Sequence, residues 1–317
     1  MVTRVGVIGA GSFGRNHVRV VRESPRAELS FVVDPDLSRA REGAGEAKTA
    51  SDYREIVGHV DAAILAVPTV LHAEIGCALL EAGIDVLVEK PIASTLKEAT
   101  RLVDAAERNG RVLQVGHLER FNPAVIALER AATLPLFFEI HRMSVFTLRS
   151  LDVDVVLDLM IHDLDIVLAL AKAELKEIRA AGISVLSPKV DIANVRLEFA
   201  DGCIANLTAS RVSTEKVRKL RLFQPGQYIS LDYAKQEAAA FTVGGSEGIA
   251  FEQLPIQPGE PLKLQFDAFL DAVEFRSTPK LNGIPARKTL EIALAVLAKI
   301  EEHSRVVGNT LAVGWKP

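Results

Sequence analysis

Val5-Gly6-Val7-Ile8-Gly9-Ala10-Gly11-Ser12-Phe13-Gly14 decides the fold of the first half of this chain. A short apolar run of strand type gives way at once to Gly-x-Gly-x-x-Gly, and a helical pattern follows with Val18 and Val21 on one face. The three glycines are needed for different reasons. Gly9 permits the tight turn, Gly11 lets backbone N–H groups approach a pyrophosphate, and Gly14 lets helix and strand pack closely. Ser12 and Phe13 complete the loop, and the helix N-terminus behind it favours phosphate charge. A second apolar run, Leu29 to Val33, ends on Asp34, twenty residues beyond Gly14, where an acidic side chain accepts the hydroxyls of an adenosine ribose. Asp34 would repel a 2′-phosphate, and Pro35 rather than an arginine follows it. NAD is therefore expected in preference to NADP, for which Arg39 and Arg41 are the nearby cations.

The alternation continues. Tyr53 to Val57 forms a short helix, and Ala62 to Val67 a strand closed by Pro68. Val70 to Ala82 is helical and stops at Gly83, a favourable helix terminator. Asp85-Val86-Leu87-Val88-Glu89-Lys90-Pro91 is a buried strand that ends where Pro91 can no longer donate to a ladder. A helix from Thr95 to Asn109 and a strand from Val112 to Gly116 follow. Repeated strand–helix units imply an α/β Rossmann domain, a doubly wound parallel sheet spanning residues 1–120. Ligands of such sheets collect beyond the carboxyl ends of the strands. Pro68, His72, Glu89 and Lys90 thus join Gly9, Gly11, Ser12, Phe13, Gly14 and Asp34 as expected cofactor contacts. His72 favours a structural role, with support of the nicotinamide end as the alternative. His17 suggests a solvated or capping position, and His59 none in particular.

After Gly116 the texture changes. His117-Leu118-Glu119-Arg120-Phe121-Asn122-Pro123 is a polar–aromatic link into a helix running to about Ala132. A strand is expected over Leu136 to Val145 and a helix over Asp154 to Ala173. Five strand-like runs without intervening helices follow: Glu177–Leu186, Val190–Phe199, Cys203–Ser210, Val217–Phe223 and Tyr228–Tyr233. Asp201-Gly202 marks a hairpin turn, and Gly244 to Gly248 a loop tip. Helices return at Pro261–Ser277 and Ala286–His303. Residues 121–317 therefore read as an α+β domain built on a large, mainly antiparallel open sheet, with a C-terminal helix able to pack back on the first domain.

Asp158 and His162 stand four residues apart on one helical face that is otherwise apolar. Taken alone, such a pair is most simply a buried pair that fixes packing. Asp163 and Asp165 are expected to face solvent or the domain boundary. No metal site is expected: His162-Asp163-Leu164-Asp165 points in several directions and lacks a second histidine at ligand spacing.

Glu89-Lys90-Pro91 in a nucleotide domain, together with Asp158-x-x-x-His162 on a second-domain helix, resembles the Gfo/Idh/MocA oxidoreductase family. The glycine fingerprint and Asn282-Gly283-Ile284-Pro285 before the final helix extend the resemblance over essentially the whole chain. It implies that Lys90, Asp158 and His162 form a catalytic set around a sugar or polyol hydroxyl, and that homo-oligomers (dimers or tetramers) form through the exposed face of the second sheet. One departure is the approach Asp152-Val153-Asp154-Val155-Val156, where many members carry glycines. Val115 to Pro123 and Leu157 to Asp165 are most similar to the branch of UDP-N-acetylglucosamine 3-dehydrogenases. A nucleotide-sugar diphosphate would need cations, and Arg120, Arg142 and Arg149 are the candidates, with structural ion pairs as the alternative for each. Asn122 contacts a sugar hydroxyl or caps the following helix, the cap being favoured.

Oxidising a secondary alcohol removes a hydride from carbon, which NAD accepts, and a proton from oxygen. Histidine titrates near neutrality, so His162 suits the proton, oriented by Asp158. Lys90 would stabilise the developing alkoxide; beside a cationic nicotinamide it also loses its own proton more readily, and the residue types leave both roles open. The expected reaction is oxidation of UDP-N-acetylglucosamine at C3 to a 3-keto sugar. A dehydrogenase of a free sugar, myo-inositol or another polyol is the alternative, and a non-catalytic NAD-binding sensor the second.

The composition agrees with an ordinary globular protein. With 317 residues, 49% of them hydrophobic, 25% charged and a net charge of −4, there is no electrostatic footprint for nucleic acid. No apolar stretch approaches the roughly 20 residues that cross a bilayer. Two distant cysteines, Cys77 and Cys203, offer neither a disulfide framework nor a thiolate metal site. The N-terminus enters a strand-like run directly, leaving no room for a signal peptide. A cytoplasmic protein is expected.

Overall fold

The computed structural model describes residues 2–147, 153–244 and 248–314. They divide into two compact units, Met1–Phe121 with Glu260–Leu290 and Asn122–Gly259 with Glu291–Pro317.

In the first unit the chain runs β1 (Thr3–Ile8), α1 (Gly14–Glu23), β2 (Ala27–Val33), α2 (Leu37–Arg41), β3 (Lys48–Ala50), β4 (Ala62–Leu65), α3 (His72–Glu81), β5 (Asp85–Glu89), α4 (Leu96–Asn109) and β6 (Leu113–Gly116). The six strands are parallel in the order β3-β2-β1-β4-β5-β6. This is the doubly wound order, with its switch point between β1 and β4. β4 and β5 are buried along their whole length because helices cover both faces. Local chemistry sets the helix ends. Thr95 and Glu98 form a reciprocal capping box at the start of α4, and Gly110, at φ 58°, closes it in the left-handed region.

The later helix α7 (Pro261–Phe275) packs Leu262, Phe266, Phe269, Leu270 and Ala272 into the same core as Val5, Val7, Val18, Val21 and Val32. At its end Arg276 binds Asp85 Oδ2 at 2.6 Å, while Asp85 Oδ1 accepts the Val112 N–H at 2.8 Å. The segment from Glu260 to Leu290, read from sequence within the second domain, thus belongs with the first compact unit.

The second unit contains α5 (Pro123–Ala131), β7 (Phe137–Val145), a π-helical turn (Val156–Met160) and α6 (Ile161–Leu170). Six of its strands follow: β8 (Leu175–Ile183), β9 (Ile192–Phe199), β10 (Ile204–Ser213), β11 (Val217–Gln224), β12 (Gln227–Asp232) and β13 (Glu237–Gly244). β14 (Gly248–Gln253) completes them, and the long α8 (Gly283–Gly314) starts in the first unit and continues into this one. The eight strands lie in the order β14-β13-β12-β11-β7-β10-β9-β8, antiparallel except between β7 and β10. β9 and β10 turn at Asp201-Gly202, where Gly202 has φ 87° and Asp201 Oδ1 accepts the Cys203 N–H at 3.0 Å.

Alternation along these strands sends Phe138, Ile140, Val195, Leu197, Leu222 and Ile229 into a core shared with Val125, Leu164, Val167, Val296 and Ile300. The opposite face carries a row of rings, Phe137, Phe223, Tyr228, Phe241 and Phe251, with successive centroids 5.9, 5.6, 4.4 and 5.2 Å apart. β13 and β14 form one edge of the sheet and have no counterpart among the sequence expectations. Of the residues singled out from sequence, Arg149, Asp152 and the middle of the Gly244–Gly248 loop tip lie outside the described residues.

Candidate functional site

The glycine loop joins β1 to α1. Gly9 has φ 92°, and a Cβ there would come within 2.4 Å of the Ala66 carbonyl oxygen. At Gly14 a Cβ would meet the Gly9 carbonyl oxygen at 1.8 Å, so this glycine holds helix and loop in contact. Gly11 differs: a Cβ there would meet nothing within 4 Å. Its surroundings are open, as a backbone that must receive a phosphate requires. A cleft of about 690 Å³ borders the loop and is lined among others by Gly9, Gly11, Asp34, Asp36, Arg39 and Pro68.

Asp34, at the end of β2, is buried and holds the loop directly. Its Oδ2 accepts the Ala10 N–H at 2.8 Å and its Oδ1 the Asp36 N–H at 2.9 Å. The cations nearest the cleft are already engaged. Arg39 pairs with Asp36 at 3.3 Å and Arg54 with Asp52 at 2.8 Å.

At the end of β5 the Glu89 carboxylate is buried, 2.8 Å from His17 Nε2, and it also accepts the Lys90 N–H at 3.3 Å. Gly116 of β6 is pressed against it: a Cβ there would lie 2.8 Å from the carboxylate. His17 is 1% exposed. The expectation of a solvated or capping position for it is therefore wrong; it lies on the same buried side of α1 as Val18 and Val21. His72 is equally buried, with Nδ1 3.0 Å from the Pro91 carbonyl oxygen and Nε2 3.0 Å from that of Val67. Burial pushes its imidazole below the usual histidine range, against the two carbonyls, which favour the charged form. Lys90 itself is half-buried and precedes Pro91 across a cis peptide bond.

In the second unit Asp158 lies in the π-helical turn and His162 in the first turn of α6. A regular helix was expected from Asp154. Instead the Ile161 N–H reaches back to the Val156 carbonyl, the wider spacing of a π turn, a feature frequent at functional sites. The approach to this turn is knitted by polar groups. Asp154 Oδ1 accepts the Val190 N–H at 3.0 Å, and Arg211 Nη2 donates to the Val153 carbonyl. Asp191, fully buried, accepts the N–H groups of Val185, Leu186 and Ser187 at 2.6–2.9 Å and the Ser187 hydroxyl at 2.6 Å. Burial alone would raise its carboxyl, but these hydrogen bonds outweigh it and hold the group at about 2.

Asp163 and Asp165 are buried, not facing solvent. Asp163 takes a two-pronged ion pair from Arg142, at 2.7 and 2.8 Å, and a hydrogen bond from the Tyr233 hydroxyl at 3.2 Å. Arg142, 2% exposed and stacked on Tyr233 at 4.9 Å, thus has the structural ion pair rather than a position open to a diphosphate. Asn122 is the N-cap of α5: its Oδ1 accepts the Ala124 N–H at 3.1 Å and its amide donates to the Tyr233 carbonyl. Arg120 lies in the short helix Leu118–Phe121, where its carbonyl accepts from Lys280 at 3.2 Å. Among the described residues no cluster of three or more His, Cys, Asp or Glu could hold a metal, and no helix is long and apolar enough to cross a membrane.

A doubly wound sheet with an open glycine loop and an acidic β2 terminus, followed by a mainly antiparallel sheet unit, defines a two-unit protein of the dinucleotide-binding class. The chain belongs to the Gfo/Idh/MocA family. Residues 3–117 match the model described as oxidoreductase family, NAD-binding Rossmann fold, and residues 136–249 the family's C-terminal domain. UDP-N-acetylglucosamine 3-dehydrogenase of Acidithiobacillus ferrooxidans is 33% identical over 306 residues, 94% of this chain and 97% of that protein. A solved structure of that enzyme superposes with a TM-score of 0.90 at 32% identity, covering 96% of this chain and 99% of its own. scyllo-Inositol 2-dehydrogenase (NAD(+)) of Bacillus subtilis is 26% identical over 92% of each chain.

Proposed function

We propose that this protein is an NAD-dependent dehydrogenase that oxidises the C3 hydroxyl of UDP-N-acetylglucosamine to a ketone. The observation that carries this reading is near full-length similarity, 33% identity over 94% of the chain, to an enzyme named for that reaction. Bound NAD supplies the acceptor for the hydride leaving C3. Side chains do the rest. Lys90, Asp158 and His162 are the catalytic set of this reading. One of the two bases removes its proton, the other donates a hydrogen bond to the developing alkoxide, and Asp158 orients His162. Asp34 receives the ribose hydroxyls and repels a 2′-phosphate; with Arg39 and Arg54 already paired to carboxylates, NAD is preferred over NADP. Arg120 serves the diphosphate.

The row of rings from Phe137 to Phe251, with Val243, Ile249 and Phe251 all more than 60% exposed, supports assembly of a homo-oligomer through the outer face of the second sheet. Cys77 and Cys203 are buried free thiols, and burial pushes Cys203 up to about 11, which keeps it un-ionised near neutrality.

The test is a panel of UDP-sugars, myo-inositol and other polyols with NAD, followed by the absorbance of reduced cofactor. Turnover with UDP-N-acetylglucosamine is expected. Turnover confined to a polyol would overturn the substrate assignment, and NAD binding with no turnover on any member would leave a sensor. Lys90→Ala and His162→Ala should each lower kcat by about 10²–10⁴-fold, the usual worth of a general acid or base, with NAD affinity retained.

A further inference from the structure

Lys90 sits between two residues that are each held by a buried histidine. On its N-terminal side the Glu89 carboxylate faces His17 Nε2 at 2.8 Å, is backed by Gly116, and accepts a bond from the Lys90 N–H. On its C-terminal side the Pro91 carbonyl meets His72 Nδ1 at 3.0 Å, while the other nitrogen of that ring lies 3.0 Å from the carbonyl of Val67, two residues beyond β4. His17 comes from α1, which opens on the glycine loop, and His72 from α3, which opens just beyond Pro68. Two helices that begin at the nucleotide cleft therefore hold the side chain before one lysine, which itself accepts the lysine N–H, and the backbone carbonyl after it.

Both rings are 1% exposed, so neither can meet a substrate. Apolar side chains would fill such sites without the penalty of burying an imidazole. What an apolar residue could not supply is direction. A lysine has a flexible four-carbon stem, and a shift of the backbone that carries it shifts its ammonium too. For a group that must lie within hydrogen-bond reach of a reacting oxygen, a displacement of about 1 Å costs on the order of 10²-fold in rate.

We propose that His17 and His72 are positioning residues for Lys90: they brace the Glu89-Lys90-Pro91 turn so that the lysine meets the hydroxyl being oxidised. The inference rests on the reading of Lys90 as a group that acts on that oxygen.

The experiment compares His17→Leu, His17→Gln, His72→Leu and His72→Gln in the full-length chain. Thermal midpoint, NADH affinity by fluorescence, kcat and KM are measured, with the primary deuterium isotope effect on kcat. UDP-N-acetylglucosamine deuterated at C3 is the probe, or the deuterated polyol if the panel returns one. The leucine variants should lose about 10- to 100-fold in kcat, with KM and NADH affinity within about threefold and a larger isotope effect, because the chemical step becomes limiting.

Glutamine keeps an N–H donor for Glu89, so His17→Gln should recover most of the rate. At position 72 the neutral ring donates to one of the two carbonyls and its rigid plane spaces the other, which a flexible glutamine cannot do, so His72→Gln should recover little. A lower midpoint with normal kcat in the folded enzyme, or parallel losses of kcat and NADH affinity, would overturn the proposal. If the leucine variants do not fold, a His17→Gln enzyme no better than His72→Gln overturns it. Lys90→Ala run alongside separates the two levels: if it turns over normally, the underlying reading of Lys90 falls and this inference with it. If Lys90→Ala is inactive while both leucine variants keep full kcat, only the positioning role falls.

Discussion

Gly11 and Gly14 stand three residues apart in the same motif, yet alanine at each should fail for opposite reasons. At Gly14 the new methyl group would lie 1.8 Å from the Gly9 carbonyl oxygen, so the loop must move by about 1.2 Å to reach even the 3.0 Å that real Cβ atoms respect. That movement strains the bond from the Gly9 N–H to the Val33 carbonyl, now 2.8 Å. One weakened buried hydrogen bond plus overpacking amounts to about 2–4 kcal/mol. For a unit of this size that corresponds to a fall of about 5–10 °C in thermal midpoint.

At Gly11 the methyl group meets nothing within 4 Å, so stability should stay within about 0.5 kcal/mol of the parent. The space it fills is the proposed approach to the pyrophosphate, and losing one charge-assisted N–H bond there would cost about 1.5–3 kcal/mol, or roughly 10- to 150-fold in Kd. Differential scanning fluorimetry and NADH fluorescence titration of the two variants give both numbers. A Gly11→Ala protein that binds NADH as well as the parent would refute the reasoning, as would a Gly14→Ala protein of unchanged midpoint.

Three further outcomes are expected. Asp34→Asn keeps an oxygen for the Ala10 N–H but removes the charge, so the NAD/NADP ratio of kcat/KM should fall by about 10-fold or more; an unchanged ratio would remove Asp34 from cofactor discrimination. Asp191, held at about 2 against an ordinary 3.8, contributes stability that is fully present above pH 3.8 and is lost as pH falls towards 2. Its shift is worth about 2 kcal/mol, so the gap between parent and Asp191→Asn in urea unfolding should close between roughly pH 4 and pH 2, and a gap independent of pH would contradict the assignment. Phe251→Asp, on an exposed ring at the sheet edge, should lower the molar mass seen by light scattering without changing the thermal midpoint by more than about 2 °C, whereas an unaltered mass would exclude this face from assembly.

The nucleotide unit was legible because its signals are local. Apolar runs, the glycine spacing and a terminal acid all fall within Val5 to Asp34. β3 is invisible in sequence because its three residues, Lys48–Ala50, carry no periodicity. In the second unit the hairpin at Asp201-Gly202 was plain from turn chemistry. β13 was not, since Glu237-Ala238-Ala239-Ala240 has weak strand propensity and is drafted by its neighbour β12. Buried polar residues were the main blind spot. Asp163 was expected at solvent or the domain boundary because its partner, Arg142, comes from a strand 21 residues away. The depth of His17 does have a local signal, since it lies beside Val18 and one turn before Val21, on the apolar side of α1. The π turn at Val156–Met160 leaves no pattern in composition that would separate it from an ordinary helix.

The chain path has a consequence for synthesis. Residues that complete the first unit, Glu260 to Leu290, leave the ribosome only after the 138 residues from Asn122 to Gly259 have been made. Until then Val5, Val18, Val21 and Val32 lack the cover of Phe266 and Phe269. The nascent glycine loop and its sheet must therefore persist with an apolar flank open while the eight-stranded sheet of the second unit is being laid down. A fragment cut after Phe121 would keep that flank permanently bare, so the part of the molecule that looks most self-sufficient in sequence is the one that has to wait longest for its last helix.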